Sequence, residues 1–511
     1  MAPGRVLVIA GSDSSGGASG LEADQKVIAA HGCYAMTATT ALTAQNTRGV
    51  RDIHLIPAAF VEKQIEASLE DVGADVVKTG MLASADTIEM VAKVVAKHHI
   101  QNLVVDPVMM STSGATLLPH EAIRQLIKHL LPLTTVLTPN IPEAALILRE
   151  TGADPGEIRS AADLETLGRG IQALGPRWVL VKGGHRPFRR RDMAVGGEGE
   201  DEEQVVVDVL VGPGEGDVVR VESPWQDSTS THGTGCSLAS AIASGMAKGS
   251  AVPDAVRSAC RYIEAGIRTA PGLGGGHGPL NHFHSTYTLP FSPGYFLEYL
   301  LSRPDVKDVW HRFVHHPFVM AMGDGTLPIE SFKGYMVQDY LYLIQFARAN
   351  ALAAYKAQNM VDISRSSEIV SHIMTETKLH VKYCESFNIS LAEMQTTEEH
   401  QACTAYTRYV LDVGQSDWLA LQVAMAPCLL GYFAVAKMLR DHKDTRREGN
   451  TYWAWIENYF ADDYTEAVRL GSELLEKYAV ELSPSRVEEL VKIFVHATKM
   501  EIGFWEMFPY R

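Results

Sequence analysis

From residue 5 to about residue 284, short β-branched runs alternate with helical stretches, and beyond that point the strands stop. RVLVIA, ADVVKTG, NLVVDPVM, TVLTPN and WVLVKGG are the clearest strands. Such alternation predicts a parallel sheet covered by helices. After PGLGGGHGPLNHFH the pattern turns long, helical and rich in aromatic residues, so residues 294–511 are predicted to be all-helical. The junction falls at residues 285–293, where STYTLPFSP holds two prolines and little periodicity. Two domains follow, 1–287 and 288–511, as expected for a chain of 511 residues that exceeds what one core organises.

Charge and cysteine usage narrow the function. A formal net charge of -16 repels a phosphate backbone over most of the surface, which argues against nucleic acid as a partner. Phosphate-bearing small molecules stay possible, because backbone amides and a lysine can hold them inside an acidic protein. Six cysteines without a CxxC pair suit a reducing compartment and a cytoplasmic protein. No segment is read as reaching the ~20 apolar residues of a membrane span, so no membrane partner is expected. RPFRRRDMAVGGEGEDEEQ, residues 186–204, reads as a solvated loop between strands.

Strand ends carry the chemistry of the first half. In a parallel α/β sheet they gather on one edge, where ligands bind. Gly11, Met81, Asp106, Asn140 with Glu143, and Lys182 stand at five such ends. Carboxylates suit a magnesium ion, and a lysine suits phosphate. In STHGTGCSLASAIASGMA, the residues Gly233, Thr234, Gly235 and Cys236 open a helix whose amides would cradle an anion, and whose dipole would favour a thiolate. A buried, inert cysteine is the plain alternative. The set has the character of a nucleotide-dependent kinase site.

GSDSSGGASGLEAD, TALTAQNTRGV, KTGML, DPVM, TPNIPEA, VKGGH, HGTGC and GHGPLNHFH, in that order, resemble the hydroxymethylpyrimidine and phosphomethylpyrimidine kinases over nearly all of residues 5–284. The resemblance implies a ribokinase-like fold, ATP and Mg2+. It implies that Asp24 and Gln45 recognise an aminopyrimidine, with Gly11, Met81 and Val108 completing the pocket. Cys236 would deprotonate the substrate hydroxyl or sit beside it. Asp106 and Glu143 would serve magnesium, while Lys182, Asn140, Gly233, Thr234 and Gly235 would hold the nucleotide. A pyridoxal kinase is the nearest rival within that fold.

In the second half, Asp339 and Tyr342 share a helix face, Cys428 follows Pro427 within a helical pattern, and Glu501 and Trp505 lie four residues apart. Each fits ordinary helix packing on its own. Taken in order, QDYLY, CTAY, APCLLGYF, WIENY and KMEIGFW are similar to the thiaminase-II (TenA-type) family, an all-helical, haem-oxygenase-like bundle. That similarity implies Cys428 as nucleophile, Glu501 as general acid, and Asp339 with Tyr342, Tyr406, Tyr432 and Tyr459 around an aminopyrimidine. No haem or transition metal is expected, and both families imply homo-oligomers. The expected whole is a bifunctional enzyme of thiamine biosynthesis and salvage; the competing reading is a pyridoxal-type kinase fused to a non-catalytic pyrimidine-binding module.

Overall fold

The computed structural model describes residues 2–510 except 16–18, 110–117, 185, 192 and 196–202. Much of the charged loop expected at 186–204 therefore lies outside the described residues. The chain divides into two compact units, Met1–Thr286 and Tyr287–Arg511.

In the first unit every second residue of a buried strand points to the same face, so a sheet covered on both sides needs apolar residues throughout. Strand β1 (Arg5–Ala10) does this. Its Leu7 and Ile9 join one core, while Val6, Val8 and Ala10 join another on the opposite face. Around it lie β2 (Tyr34–Thr39), a separate hairpin of β3 (Ala41–Asn46) and β4 (Gly49–Leu55), then β5 (Val76–Thr79), β6 (Leu103–Val105), β7 (Val136–Leu137) and β8 (Trp178–Val181). The order β8-β7-β6-β5-β1-β2 is parallel throughout.

The far edge departs from that expectation. The short β9 (Phe188–Arg189) and the long β11 (Val218–Pro224) both pair with β10 (Gln204–Val211), which runs antiparallel to β8 and to β11. GPGEGD joins β10 to β11, and a turn that short can only connect antiparallel strands. The sheet is mixed.

The second unit is helical, with no strand among its described residues. Asn359, Asp417 and Ser483 cap three of its long helices by accepting from the backbone N–H three residues on. One helix, Trp418–Asp441, corrects the reading that no segment approaches a membrane span: its most apolar stretch has a mean hydropathy of 1.8 and suffices by length and composition. Of that stretch 67% is buried inside the protein, as in a core helix. Pro427 lies within this helix, one residue before Cys428.

Candidate active sites

A cavity of about 700 Å3 lies at the C-terminal ends of the parallel strands. Gly11 beyond β1, Met81 beyond β5, Asp106 and Val108 beyond β6, Asn140 and Glu143 beyond β7, and Lys182 beyond β8 all line it. A Cβ on Gly11 would come within 2.3 Å of the Met81 methyl, so the wall has no room for one. Gln45 lines the cavity from β3, and its Nε2 donates to Ser19 Oγ at 3.1 Å and lies 2.9 Å from His232 Nε2.

Beside the strand ends stands the start of helix Thr234–Ala247, capped by Gly233 in the left-handed region at φ 75°. Gly233, Thr234, Gly235 and Cys236 all line the cavity. A Cβ on Gly235 would fall 3.0 Å from Lys182 Nζ, so the glycine lets the ammonium approach the helix start. Lys182 donates to Asp106 Oδ1 at 2.9 Å, and Thr138 adds a weaker bond to the same oxygen at 3.3 Å. Burial opposes charge on Asp106, yet Lys182 and Lys78 hold its carboxyl below the usual range. Asn140 and Glu143 form a reciprocal cap, with Glu143 N donating to Asn140 Oδ1 at 2.8 Å and Asn140 N donating to Glu143 Oε2 at 2.9 Å. Burial, reinforced by Asp106 against the pull of Lys182, pushes Glu143 up to about 7.

Among the described residues no three His, Cys, Asp or Glu side chains make a metal cage. Asp106 and Glu143 nevertheless offer hard oxygen donors beside Lys182 and a row of amides. That donor set fits a Mg2+ that arrives with phosphate and keeps part of its water, because such an ion needs only one or two carboxylates.

Two expectations are corrected here. Asp24 does not line the cavity; it is fully buried, accepts from Lys78 Nζ at 2.9 Å through both carboxylate oxygens, and accepts from Ser240 Oγ at 2.7 Å. A buried lysine requires that counter-charge, so the carboxylate is not free for a ligand. Cys236 lines the cavity as a neutral thiol rather than the thiolate the helix dipole suggested. Burial, opposed by Lys78 and reinforced by Asp106 and Asp24, pushes it up to about 12.

The helical unit gathers its own polar groups inside an aromatic shell. Glu501, 1% exposed, accepts from the Tyr406 hydroxyl at 2.7 Å, and burial pushes its carboxyl up to about 8. Tyr406 stacks on Tyr342 at 5.2 Å between ring centroids, and Tyr432 packs on Tyr459 at 5.0 Å and on Trp505 at 5.4 Å. Half-buried Cys428 interacts electrostatically with Tyr342, Tyr406, Tyr432 and Tyr459. Tyr335 feels Asp339, Glu501 and Cys428 together, which places all three around one tyrosine. Burial, partly offset by His380, pushes Asp339 up to about 6. The indole N–H groups of Trp455 and Trp505 are buried without an acceptor, an expensive state that a ligand could relieve.

Residues outside the sequence expectations complete both sites. Ser19, Thr43 and His232 join the cavity wall, and Lys78 sits behind it. His380 puts Nδ1 at 3.6 Å from Asp339 Oδ2, while its Nε2 binds the Met336 carbonyl at 2.9 Å. His232 was visible inside the THGTGC motif; His380 belongs to no motif and carried no signal.

An amide nest beside a lysine–aspartate pair, at the carboxyl edge of a sheet covered on both faces, defines a small-molecule kinase of the ribokinase-like class. Residues 13–281 match the family described as phosphomethylpyrimidine kinase, and residues 303–509 match the TENA/THI-4/PQQC family. The chain belongs to the phosphomethylpyrimidine kinase family, with a TENA/THI-4/PQQC domain fused behind it. A protein of Schizosaccharomyces pombe is 41% identical over 506 residues, covering 99% of this chain and 90% of its own length. Hydroxymethylpyrimidine/phosphomethylpyrimidine kinase THI20 of Saccharomyces cerevisiae is 33% identical over 536 residues, covering 98% and 94%. A phosphomethylpyrimidine kinase structure from Clostridium difficile is 40% identical, covers 51% of this chain and 97% of its own, and superposes with a TM-score of 0.41.

Proposed function

We propose that the first unit transfers phosphate from ATP to 4-amino-5-hydroxymethyl-2-methylpyrimidine and then to its monophosphate, and that the second hydrolyses thiamine or an aminomethylpyrimidine to hydroxymethylpyrimidine. One observation carries the kinase reading: the helix start at Gly233–Cys236 lies beside Lys182 and Asp106 in the same cavity that Gly11, Gln45, Met81 and Val108 line. The nest and Lys182 stabilise charge on the phosphoryl group as the substrate oxygen bonds to phosphorus, the bridging P–O bond breaks to release ADP, and the hydroxyl proton passes by way of a phosphoryl oxygen to solvent. A Mg2+ held by Asp106 and Glu143 would neutralise phosphate charge. Cys236, neutral at physiological pH, lies beside the hydroxyl without acting as a resting base.

In the second unit, the Cys428 thiol adds to an electron-poor ring carbon with its proton passing to the ring nitrogen, while Asp339 holds the ring nitrogen and amine. The bond from the exocyclic methylene to the departing nitrogen breaks as Glu501 gives that nitrogen its proton. Water then adds to the methylene, returning a proton to Glu501, and the C–S bond breaks to restore the thiol. A carboxyl pushed up to about 8 is still protonated at neutral pH, which supports that role. Six unbridged cysteines support a reducing compartment such as the cytoplasm.

Incubating the protein with ATP and hydroxymethylpyrimidine should yield mono- and diphosphate. Phosphorylation of pyridoxal alone would overturn the kinase assignment in favour of the rival. Replacing Cys428 by serine should abolish pyrimidine release while pyrimidine binding persists; unchanged release would move the nucleophile elsewhere.

A further inference from the structure

The kinase reading leaves one feature of the first unit unused. Lys78 and Asp24 form an ion pair in which both side chains are 0% exposed, just behind the cavity wall. Two of the ammonium's donors reach the two carboxylate oxygens at 2.9 Å, and Ser240 reaches one of those oxygens at 2.7 Å. Burying both charges is costly and is a weak route to stability, since apolar side chains of similar size commonly do as well or better. The position of the three residues suggests what the pair does instead.

Each belongs to a different wall of the cavity. Lys78 is on β5, two and three residues before Gly80 and Met81, which line the cavity. Its Nζ lies 3.3 Å from where a Cβ on Gly80 would stand. Asp24 is on helix Gly20–Ala30, whose first residue and Ser19 line the cavity. Ser240 is on helix Thr234–Ala247, four residues and so about one turn beyond Cys236. The strand end, the glycine turn and the amide nest are therefore tied to one buried ion pair.

We propose that Lys78 is a positioning residue of the phosphoryl-transfer site: through Asp24 and Ser240 it fixes the nest against the strand end. This rests on the kinase reading, and failure of that reading would already show in the parent protein, which would then make no pyrimidine phosphate.

The test compares full-length Lys78→Met/Asp24→Asn with the parent. Lys78→Met alone leaves a buried carboxylate without a partner and can unfold the unit, whereas the pair removes both charges and keeps an acceptor for Ser240. Thermal melting and far-UV circular dichroism report folding of the first unit, and pyrimidine release by the second unit normalises for the amount of intact protein. The expected result is a folded protein whose kcat for hydroxymethylpyrimidine phosphorylation falls at least 30-fold while KM for pyrimidine and for ATP stays within threefold. Ser240→Ala, which cuts only the tie to the nest helix, should lower kcat three- to tenfold with unchanged KM. A kcat within threefold in the folded double variant, or KM values that rise in step with the fall in kcat, would reduce the triad to packing and overturn the proposal.

Discussion

Glu501 illustrates how burial assigns a role to a common side chain. Burial keeps the proton on its carboxyl until about pH 8, with the Tyr406 hydroxyl, which donates to it, opposing that shift and the neighbouring charge of Asp339 adding to it. If Glu501 is the acid, release should fall as pH rises through about 8. Glu501→Gln should lower kcat by about 10²–10⁴-fold and erase that limb, read from a pH–rate profile. The stability effect has the same direction: a folded-state value above the unfolded one contributes fully below the unfolded value and is lost as pH rises towards 8. Thermal melting of the parent, but not of the glutamine variant, should reflect that loss. Glu501, Cys428 and Asp339 came forward only through the resemblance of motifs taken in order, since each fits ordinary helix packing by itself. The sequence could not reveal that Asp24 is claimed by Lys78, because a counter-charge 54 positions away is a fact of packing.

At the scale of elements, helix Thr234–Ala247 does the most for the kinase site. Its N-terminal amides were legible in THGTGC, because a glycine-rich entry to a small-residue helix announces an anion cradle. Gly235→Ala would put a methyl 3.0 Å from Lys182 Nζ and should cut phosphorylation at least about 10²-fold in an ATP-coupled assay, with the melting temperature little changed. The parallel strands were legible because each is a continuous apolar run. The antiparallel edge was missed: the charged segment was read as a loop between strands, but QVVVDVLV was not named as the strand after it and the GPGEGD turn went unread. Strand β2 was missed for a different reason, since its burial alternates and its sequence YAMTAT runs straight into the next strand.

Across the whole molecule, the two units carry separate cores, and the residues of the two sites fall wholly within one unit or the other. Changes in one site should therefore leave the other intact: Cys428→Ser is expected to phosphorylate hydroxymethylpyrimidine within twofold of the parent. If both sites take that ring, the free pyrimidine at 100 times its Kd should stabilise each unit by about 2.7 kcal/mol, visible as upward shifts in scanning calorimetry. The position of the junction was plain from the change of pattern alone, whereas the aromatic shell around Cys428 emerged only when helices distant in sequence came together.

Helix Trp418–Asp441 lies at the centre of the second unit, and much of what covers it is the final helix, Pro484–Trp505, whose Val487, Leu490, Phe494, Phe504 and Trp505 share its cores. During translation the greasy segment therefore leaves the ribosome some forty residues ahead of its main cover. The half-made polypeptide is at its stickiest in that interval, and holding chaperones have their strongest claim on it there. Synthesis stalled before residue 484 should yield a product that clings to detergent or lipid, a tendency that disappears once the last helix closes over the apolar face and brings Glu501 with it.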